Sequence, residues 1–207
     1  MFLTLILSSF LTFMELNCEN LFDTRHDSLK NDLEFLPDGS YKWTPYRYWA
    51  KLNHLGQEIV AQSNPIPDFV AMCEVENDSV MFDLTKRSLL RNAGYEYVMT
   101  SSPDERGIDV ALLYQPASFA LLHSHSIRIK PLPDTRPTRD ILYASGLIIT
   151  GDTLHVFVVH APSRRGGELA SRPYRLHVAS QLAEAVDSVY AISRDAKIII
   201  AGDFNDY

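Results

Sequence analysis

The segment AKIIIAGDFNDY, residues 196–207, decides the fold of this chain. Its apolar run, 197–201, predicts a buried strand. Directly after that strand come Asp203 and Asn205, polar residues that are costly to bury without partners. The segment therefore predicts a strand that carries an acid and an amide to its carboxyl end.

Three other apolar runs end in the same way. FMEL is followed by Asn17 and Glu19, DFVAM by Glu74 and Glu76, and VFVV by His160. Residues i and i+2 of a strand share a face about 6–7 Å apart. The spacing thus predicts that each acid or amide pair lies on one side of its strand. Several such carboxylates and carboxamides together favour a hard cation with oxygen ligands over zinc.

The remaining pattern predicts strands interrupted by a few helices. Helices are expected at 46–62, 78–92 and about 172–193, and a polar surface loop at 24–45. Strands are expected at 68–76, 95–100, 108–114, 119–129, 140–149, 154–160 and 197–201. This order predicts an α/β (α+β) fold, with two packed β-sheets flanked by helices in a single domain over 1–207.

The composition limits the classes of function. The chain has 207 residues, 46% of them hydrophobic, and a formal net charge of −7. This charge argues against a passive nucleic-acid coat, but not against an enzyme that binds one phosphate through a metal ion. Neither a dinucleotide-binding G-x-G-x-x-G nor a P-loop motif occurs, which disfavours dehydrogenases and P-loop enzymes.

The cysteines and the first residues leave two questions open. Cys18 and Cys73 have no zinc-type spacing and are either two buried thiols or one disulfide. The apolar opening MFLTLILSSFLTF is too short to span a bilayer, so no transmembrane segment is predicted there. It is either the remnant of a signal or the approach to the first strand, and both a cytoplasmic and an exported protein remain open.

The ordered set of motifs resembles the endonuclease/exonuclease/phosphatase superfamily. ELNCENLFD is similar to the family's opening strand with its Asn, and PDFVAMCEVEN to its metal-binding Glu segment. RGIDVALLY, VVHAPSRRGG and IIIAGDFND are similar to the mid-chain strand, the His segment and the Gly-Asp-x-Asn segment. The resemblance covers the whole chain and implies the fold of pancreatic deoxyribonuclease, a DNase-I-like four-layer sandwich.

The resemblance also implies a role for each strand-end residue. Glu74 resembles the principal Mg²⁺ ligand, with Mn²⁺ as a substitute, and Asn17 lies beside it directly or through water. Asp203 would orient or deprotonate the attacking water, and Asn205 would donate to a phosphate oxygen. His160 would bond the phosphate or help to protonate the leaving group.

Four further residues are weaker candidates for substrate binding. Glu19 is either an acidic neighbour of the site or a solvated turn residue. Asp109 lies among the apolar residues of a predicted strand, so the alternation of the strand could point its side chain either way. Arg164 lies in a cationic, glycine-containing loop just after the His segment, where contact with a substrate phosphate competes with simple solvation. Arg172 at the predicted start of a helix opposes the helix dipole, which hints at a phosphate nearby.

The resemblance predicts that the chain is incomplete. Members of the family continue for roughly another sheet's worth of chain and end with an Asp-His segment, and no Asp-His pair occurs here. We therefore expect a fragment that lacks the C-terminal strands; a rearranged terminus or a second chain would be the alternative. An exposed sheet edge would then allow self-association.

The function implied is Mg²⁺-dependent hydrolysis of a phosphodiester or phosphomonoester. A nuclease is favoured weakly, because the aromatic segment YKWTPYRYW, residues 41–49, offers rings for base stacking. A nucleic acid is accordingly one expected partner. The alternative is a non-catalytic binding or scaffold protein that keeps the fold without the activity.

Overall fold

The computed structural model describes residues 10–62, 64–133 and 135–206. Within these ranges the helices are α1 Pro45–Ala61, α2 Asp78–Phe82 and α3 Glu168–Ile192. The strands are β1 Phe13–Leu21, β2 Phe69–Val75, β3 Glu96–Met99, β4 Asp109–Tyr114, β5 Phe119–Ile127, β6 Ile141–Ile148, β7 Thr153–His160 and β8 Lys197–Asp203.

The strands form two four-stranded mixed sheets. The first sheet has the order β1-β2-β4-β3, and the second has the order β5-β6-β7-β8. In each sheet one pair is parallel, β1 with β2 and β7 with β8, while the other pairs are antiparallel. The two parallel pairs carry all four of the strand ends that the sequence singled out.

Three apolar layers hold the sheets and helices together. A central cluster that includes Phe69, Phe119 and Val156 packs the inner faces of the two sheets on each other. A second cluster packs α1 and the segment after β2 on the outer face of the first sheet, and a third packs α3 on the outer face of the second. The predicted α/β class, with two packed sheets flanked by helices, is confirmed.

Two predicted helices differ from the observed ones. The segment 78–92 is not one helix: after α2 it continues as a π-helical turn, Asp83–Arg87, and a 3₁₀ turn, Leu89–Asn92. Side chains of Thr85 and Ser88 donate to backbone carbonyls one turn earlier, an arrangement that bends a helix and competes with its ladder. Helix α3 begins at Glu168, four residues before the predicted start.

The open questions about the first residues and the cysteines are partly answered. Residues 1–9 of the apolar opening lie outside the described residues, and the strand β1 starts at Phe13. Cys18 and Cys73 are both free thiols and both buried, and burial raises the pKa of each. In the part of the chain that the structure describes, no helix is long and apolar enough to cross a bilayer.

Candidate active site

The carboxyl ends of the two parallel strand pairs meet at one edge of the sandwich. Asn17 from the first sheet donates its side-chain amide to Asp203 of the second sheet, with an Nδ2–Oδ2 distance of 3.0 Å. Glu74 Oε1 lies 3.7 Å from His160 Nε2, which again joins one sheet to the other. The four strand ends singled out in the sequence are thus brought together, as predicted.

Two β-bulges aim the acidic and amide side chains of the first sheet. The pairing of β1 with β2 shifts register between Asn17 and Leu21, and the pairing of β2 with β4 shifts between Cys73 and Val75. Glu74 lies in the second bulge with φ 61°, and Asn20 lies in the first with φ 64°. Left-handed backbone is strained for residues other than glycine, and such strain clusters at functional sites. The two bulges meet, because the Asn20 amide donates to Glu74 Oε2 at 2.8 Å.

The bulge in β2 also corrects one expectation. Strict alternation placed Glu76 on the same side as Glu74, but Glu76 is buried elsewhere and accepts a hydrogen bond from the Asp23 amide at 2.6 Å. Burial raises the pKa of the Glu76 carboxyl to about 8. The extra residue in the bulge breaks the period of two on which that expectation depended.

His160 is buried and electrically neutral at pH 7. Burial and, to a smaller extent, the charges of Arg139 and Arg106 together lower the pKa of its imidazole to about 3. Its Nδ1 atom is buried without a hydrogen-bond partner among the described residues. A neutral imidazole of this kind donates through one ring nitrogen and accepts through the other.

The loop after β8 fixes Asp203 against the end of β7. The Asp203 carbonyl accepts from the Ala161 amide, and the Asn205 amide donates to Asp203 Oδ1, both at 2.8 Å. The Asn205 side chain donates to the Ala161 carbonyl at 3.0 Å. Since a carboxamide has two N–H donors, one remains for the phosphate contact predicted for Asn205.

Gly202 allows the close approach of β8 to β7 on which this geometry depends. Its φ is 124°, and a Cβ atom at this position would lie 1.9 Å from the Val159 carbonyl oxygen. The approach sets the pairing of His160 with Asp203 one residue later. Only glycine accommodates both the backbone angle and the contact.

Two arginines that the sequence did not single out border the site. Arg106 Nη2 is 4.0 Å from Glu74 Oε1, and Arg139 donates to the Ala161 carbonyl at 2.8 Å. Arg139 is held by an ion pair with Asp104, with an Nη1–Oδ2 distance of 3.4 Å. Arg106 is the first residue of the motif RGIDVALLY, in which Asp109 was the predicted candidate. Arg139 lies in a loop, and no motif in the sequence includes it.

Asp109 and Glu19 occupy different surroundings from those of the four strand-end residues. Asp109 is buried and accepts hydrogen bonds from the Thr100 hydroxyl at 2.6 Å, the Ser102 amide at 2.9 Å and the Ser102 hydroxyl. Its environment is that of a structural carboxylate rather than a substrate contact. Glu19 is exposed, and its backbone amide donates to Asn17 Oδ1 at 2.8 Å.

Four arginines lie between β7 and the end of α3, Arg164 and Arg165 in the loop and Arg172 and Arg175 in the helix. Arg164 is 3.8 Å from Glu168, one turn later. Arg172 is exposed and is the fifth residue of α3, so the argument from the helix dipole, which needs a residue in the first turn, does not hold for it. Arg175 faces inward instead and donates to the Ser171 hydroxyl at 2.8 Å.

The oxygen atoms at this edge suit a hard divalent cation. Among the described residues, no group of three or more His, Cys, Asp and Glu side chains is arranged to hold a metal. Mg²⁺ needs fewer protein ligands, since it keeps several waters and takes one or two carboxylates. Glu74 could supply the carboxylate, and Asn17 Oδ1, which already accepts one hydrogen bond from the Glu19 amide, a carboxamide oxygen. Asn20, whose backbone amide donates to Glu74, has a buried Oδ1 atom without a hydrogen-bond partner among the described residues. The residues present therefore fit Mg²⁺.

Two mixed sheets packed face to face and flanked by helices define a class of fold, the DNase-I-like sandwich, and here half-buried acid and amide side chains and a buried histidine lie at one edge of it. Residues 12–207 match the model of the Endonuclease/Exonuclease/phosphatase family. The chain belongs to this family, and the resemblance noted in the sequence is confirmed.

Solved structures with the same fold are distant in sequence. The chain is 18% identical to a humanized D. rerio TDP2 with 14 mutations, at a TM-score of 0.60 over 95% of this chain and 63% of that one. It is 19% identical to the human Nocturnin catalytic domain with bound sulfate, with a TM-score of 0.65 over 95% of this chain and 65% of that domain. It is 16% identical to the Bacteroides thetaiotaomicron mannosyl-6-phosphatase Bt3783, with a TM-score of 0.65 over 94% of this chain and 65% of that one. The chain thus spans about two thirds of these proteins or slightly less. A search of curated proteins gave no match.

Proposed function

We propose that this protein hydrolyses a phosphate ester with the help of Mg²⁺, or Mn²⁺ in its place. The observation that carries the proposal is the convergence of Asn17, Glu74, His160 and Asp203 from four strands and two sheets. His160 is buried and the other three are half-buried, which is costly for polar groups, so a fold that gathers them at one edge indicates a function for them. Membership of a family of hydrolytic enzymes supports the same reaction class.

Each residue has a chemical task in this proposal. Glu74 and Asn17 would hold the cation, which when bound neutralises phosphoryl oxygens and polarises the ester. Asp203 orients the attacking water and accepts its proton, and the 3.0 Å hydrogen bond from Asn17 keeps the carboxylate in place. Asn205 donates its remaining N–H to a phosphate oxygen.

His160 is proposed to bind the phosphate through a hydrogen bond. The lowered pKa of its imidazole favours the neutral form at pH 7, in which one ring N–H can donate to a phosphate oxygen but the more acidic imidazolium proton is absent, so the alternative role as acid for the leaving group is disfavoured. Arg106 is placed to add positive charge on the Glu74 side of the phosphate.

Nucleic acid is the substrate class that we favour, among several that the fold can serve. The structural neighbours cover different esters: one D. rerio TDP2 is complexed with a single-strand DNA product, and Bt3783 is a mannosyl-6-phosphatase. Because the identities are below 20%, these names set the range of substrates to be tested and do not choose among them.

The test is a substrate panel in Mg²⁺ and in EDTA. Plasmid DNA, single-stranded RNA, sphingomyelin and a simple phosphomonoester are incubated with the wild type and with Asp203→Asn. We expect turnover of at least one substrate that EDTA abolishes, and a loss of about 100-fold or more in Asp203→Asn. Asp195→Asn, an exposed change just before β8, is the matched control and should keep full activity. Turnover that survives EDTA, or none with any substrate, would overturn the proposal.

A further inference from the structure

A cavity of about 270 Å³ opens beside the site on the Arg106 side. It shares Asn20 and Arg106 with the site, and Phe35, Tyr41, Arg136 and Arg165 also line it. We call it the arginine pocket. Its volume is slightly below the range for ligand pockets, about 300–1,000 Å³, so it suits one small unit of a larger substrate.

One wall of the arginine pocket is the end of an aromatic stack. Phe22 and Phe35 lie almost parallel with their centroids 4.0 Å apart, and Tyr41 stacks on Phe35 at 5.0 Å. Phe22 is buried, whereas Tyr41 is 52% exposed. Tyr41 is held in place by a hydrogen bond from its amide to the Glu34 carbonyl at 3.1 Å. The stack therefore ends in a partly exposed ring, on a backbone held by a hydrogen bond, that can accept one more planar group.

The other side of the pocket is cationic. Arg106, Arg136 and Arg165 line it, together with the acidic residues Glu34 and Glu105. Arg136 is paired with Glu105 at 3.1 Å, but both side chains are largely exposed, so a bound anion can compete for the guanidinium. In a chain of net charge −7, this concentration of arginines is local. Arginine binds phosphate through two parallel hydrogen bonds, which makes phosphate the anion that it suits best.

We propose that the arginine pocket binds a nucleotide unit next to the phosphate that is cleaved, with its base on Tyr41 and its own phosphate on the arginines. The inference rests on the proposed function and names its substrate class. A sugar phosphate could bind the arginines but has no planar aromatic group to stack on Tyr41. The hydrocarbon tail of a lipid has neither a phosphate for the arginines nor an aromatic ring for Tyr41. A base offers a π face to Tyr41 whatever its sequence.

Binding without turnover tests the proposal. Affinities for adenosine 5′-monophosphate and ribose 5-phosphate, which differ only in the base, are measured by calorimetry in EDTA. We expect the nucleotide to bind about 5- to 150-fold more tightly, the range for one base on an aromatic side chain. Tyr41→Ala should abolish this preference and Tyr41→Phe should keep it. Equal affinity of the wild-type protein for the two compounds would overturn the proposal.

Matched variants separate the two halves of the pocket. Tyr46→Ala removes a tyrosine that is 83% exposed and lies outside the pocket, and should leave the preference unchanged. Arg136→Ala and Arg165→Ala should weaken both compounds by similar factors, whereas Arg91→Ala should weaken neither. The same loss of preference in Tyr46→Ala as in Tyr41→Ala would overturn the assignment of the stacking ring.

Two further results identify the source of the nucleotide and keep this inference separate from the proposed function. An oligothymidylate that binds more tightly than thymidine 5′-monophosphate supports a nucleic-acid strand, and equal binding supports a free nucleotide. Metal-dependent turnover without any base preference would overturn the arginine pocket alone. A base preference without turnover of any substrate in the panel would overturn the proposed function alone.

Discussion

Replacing Gly202 with alanine should disrupt the junction between β7 and β8, the strands that carry His160 and Asp203. The glycine is paired with Val159 of β7, one residue before His160 is paired with Asp203. A Cβ atom at position 202 would lie 1.9 Å from the Val159 carbonyl oxygen and 2.9 Å from the carbonyl carbon and amide nitrogen. All three atoms belong to the backbone, so relief requires β7 and β8 to move apart.

The magnitude follows from two separate costs. A φ of 124° lies in a region that is strained for residues with a side chain, at about 1–3 kcal/mol. Forcing an additional carbon into a packed position costs about 1–3 kcal/mol more. The free energy of unfolding should therefore fall by about 2–6 kcal/mol, a large part of the roughly 5–15 kcal/mol that a domain has.

Gly151→Ala is the matched control for the backbone angle. Gly151 has φ 84°, and a Cβ atom there would meet no atom of the described residues within 4 Å. We expect it to cost only about 1–2 kcal/mol, the price of a left-handed residue. Urea denaturation of both variants, with the slope m compared to check that unfolding stays two-state, gives the difference. A loss of unfolding free energy in Gly202→Ala no larger than in Gly151→Ala would contradict the close approach of β8 to β7.

Three further predictions concern pH, a buried carboxylate and the sheet edge. The pKa of the Glu76 carboxyl is raised to about 8, so the folded state keeps a proton that the unfolded chain releases above pH 4.5. In EDTA, the wild type should therefore lose about 2–3 kcal/mol of stability relative to Glu76→Gln between pH 5 and 7. A constant difference would contradict this. Asp109→Ala leaves buried donors unpaired, so it should lower the free energy of unfolding by about 1–3 kcal/mol and leave turnover per folded molecule unchanged. A loss of turnover at full stability would instead show that Asp109 has a functional role. Strand β8 is paired on one side only among the described residues, and Ile200 on it is 42% exposed. The apparent mass from light scattering should therefore grow with protein concentration and fall in Ile200→Lys. A monomer at every concentration would refute self-association.

The layers of the fold and the edge that carries the site could be predicted from the sequence because burial leaves a local signature. Apolar runs that end in Asn17, Glu74, His160 and Asp203 mark buried strands and the polar groups at their ends. Since parallel neighbours have their carboxyl ends at one edge, the side chains had to lie close together.

The local geometry of the site could not be predicted in the same way. A β-bulge adds a residue without any change in composition, so alternation placed Glu76 on the wrong side. The contacts of Arg106 and Arg139 join segments far apart in the chain, and no local pattern carries such information. Helix α3 begins before its predicted start because its N-cap residue is Gly167, with φ 107°, which has no side chain to cap the helix and so gives no polar start signal.

The Mg²⁺ dependence of turnover in Glu74→Gln tests the central claim most directly. The change removes the carboxylate charge at constant size, and Glu58→Gln, on the exposed face of α1, is the matched control. On the substrate that the panel identifies, we expect kcat/KM of Glu74→Gln to fall by about 100-fold or more at the Mg²⁺ concentration that saturates the wild type, with an unchanged circular dichroism spectrum. Full turnover in Glu74→Gln at that concentration would remove Glu74 from the site and contradict the account.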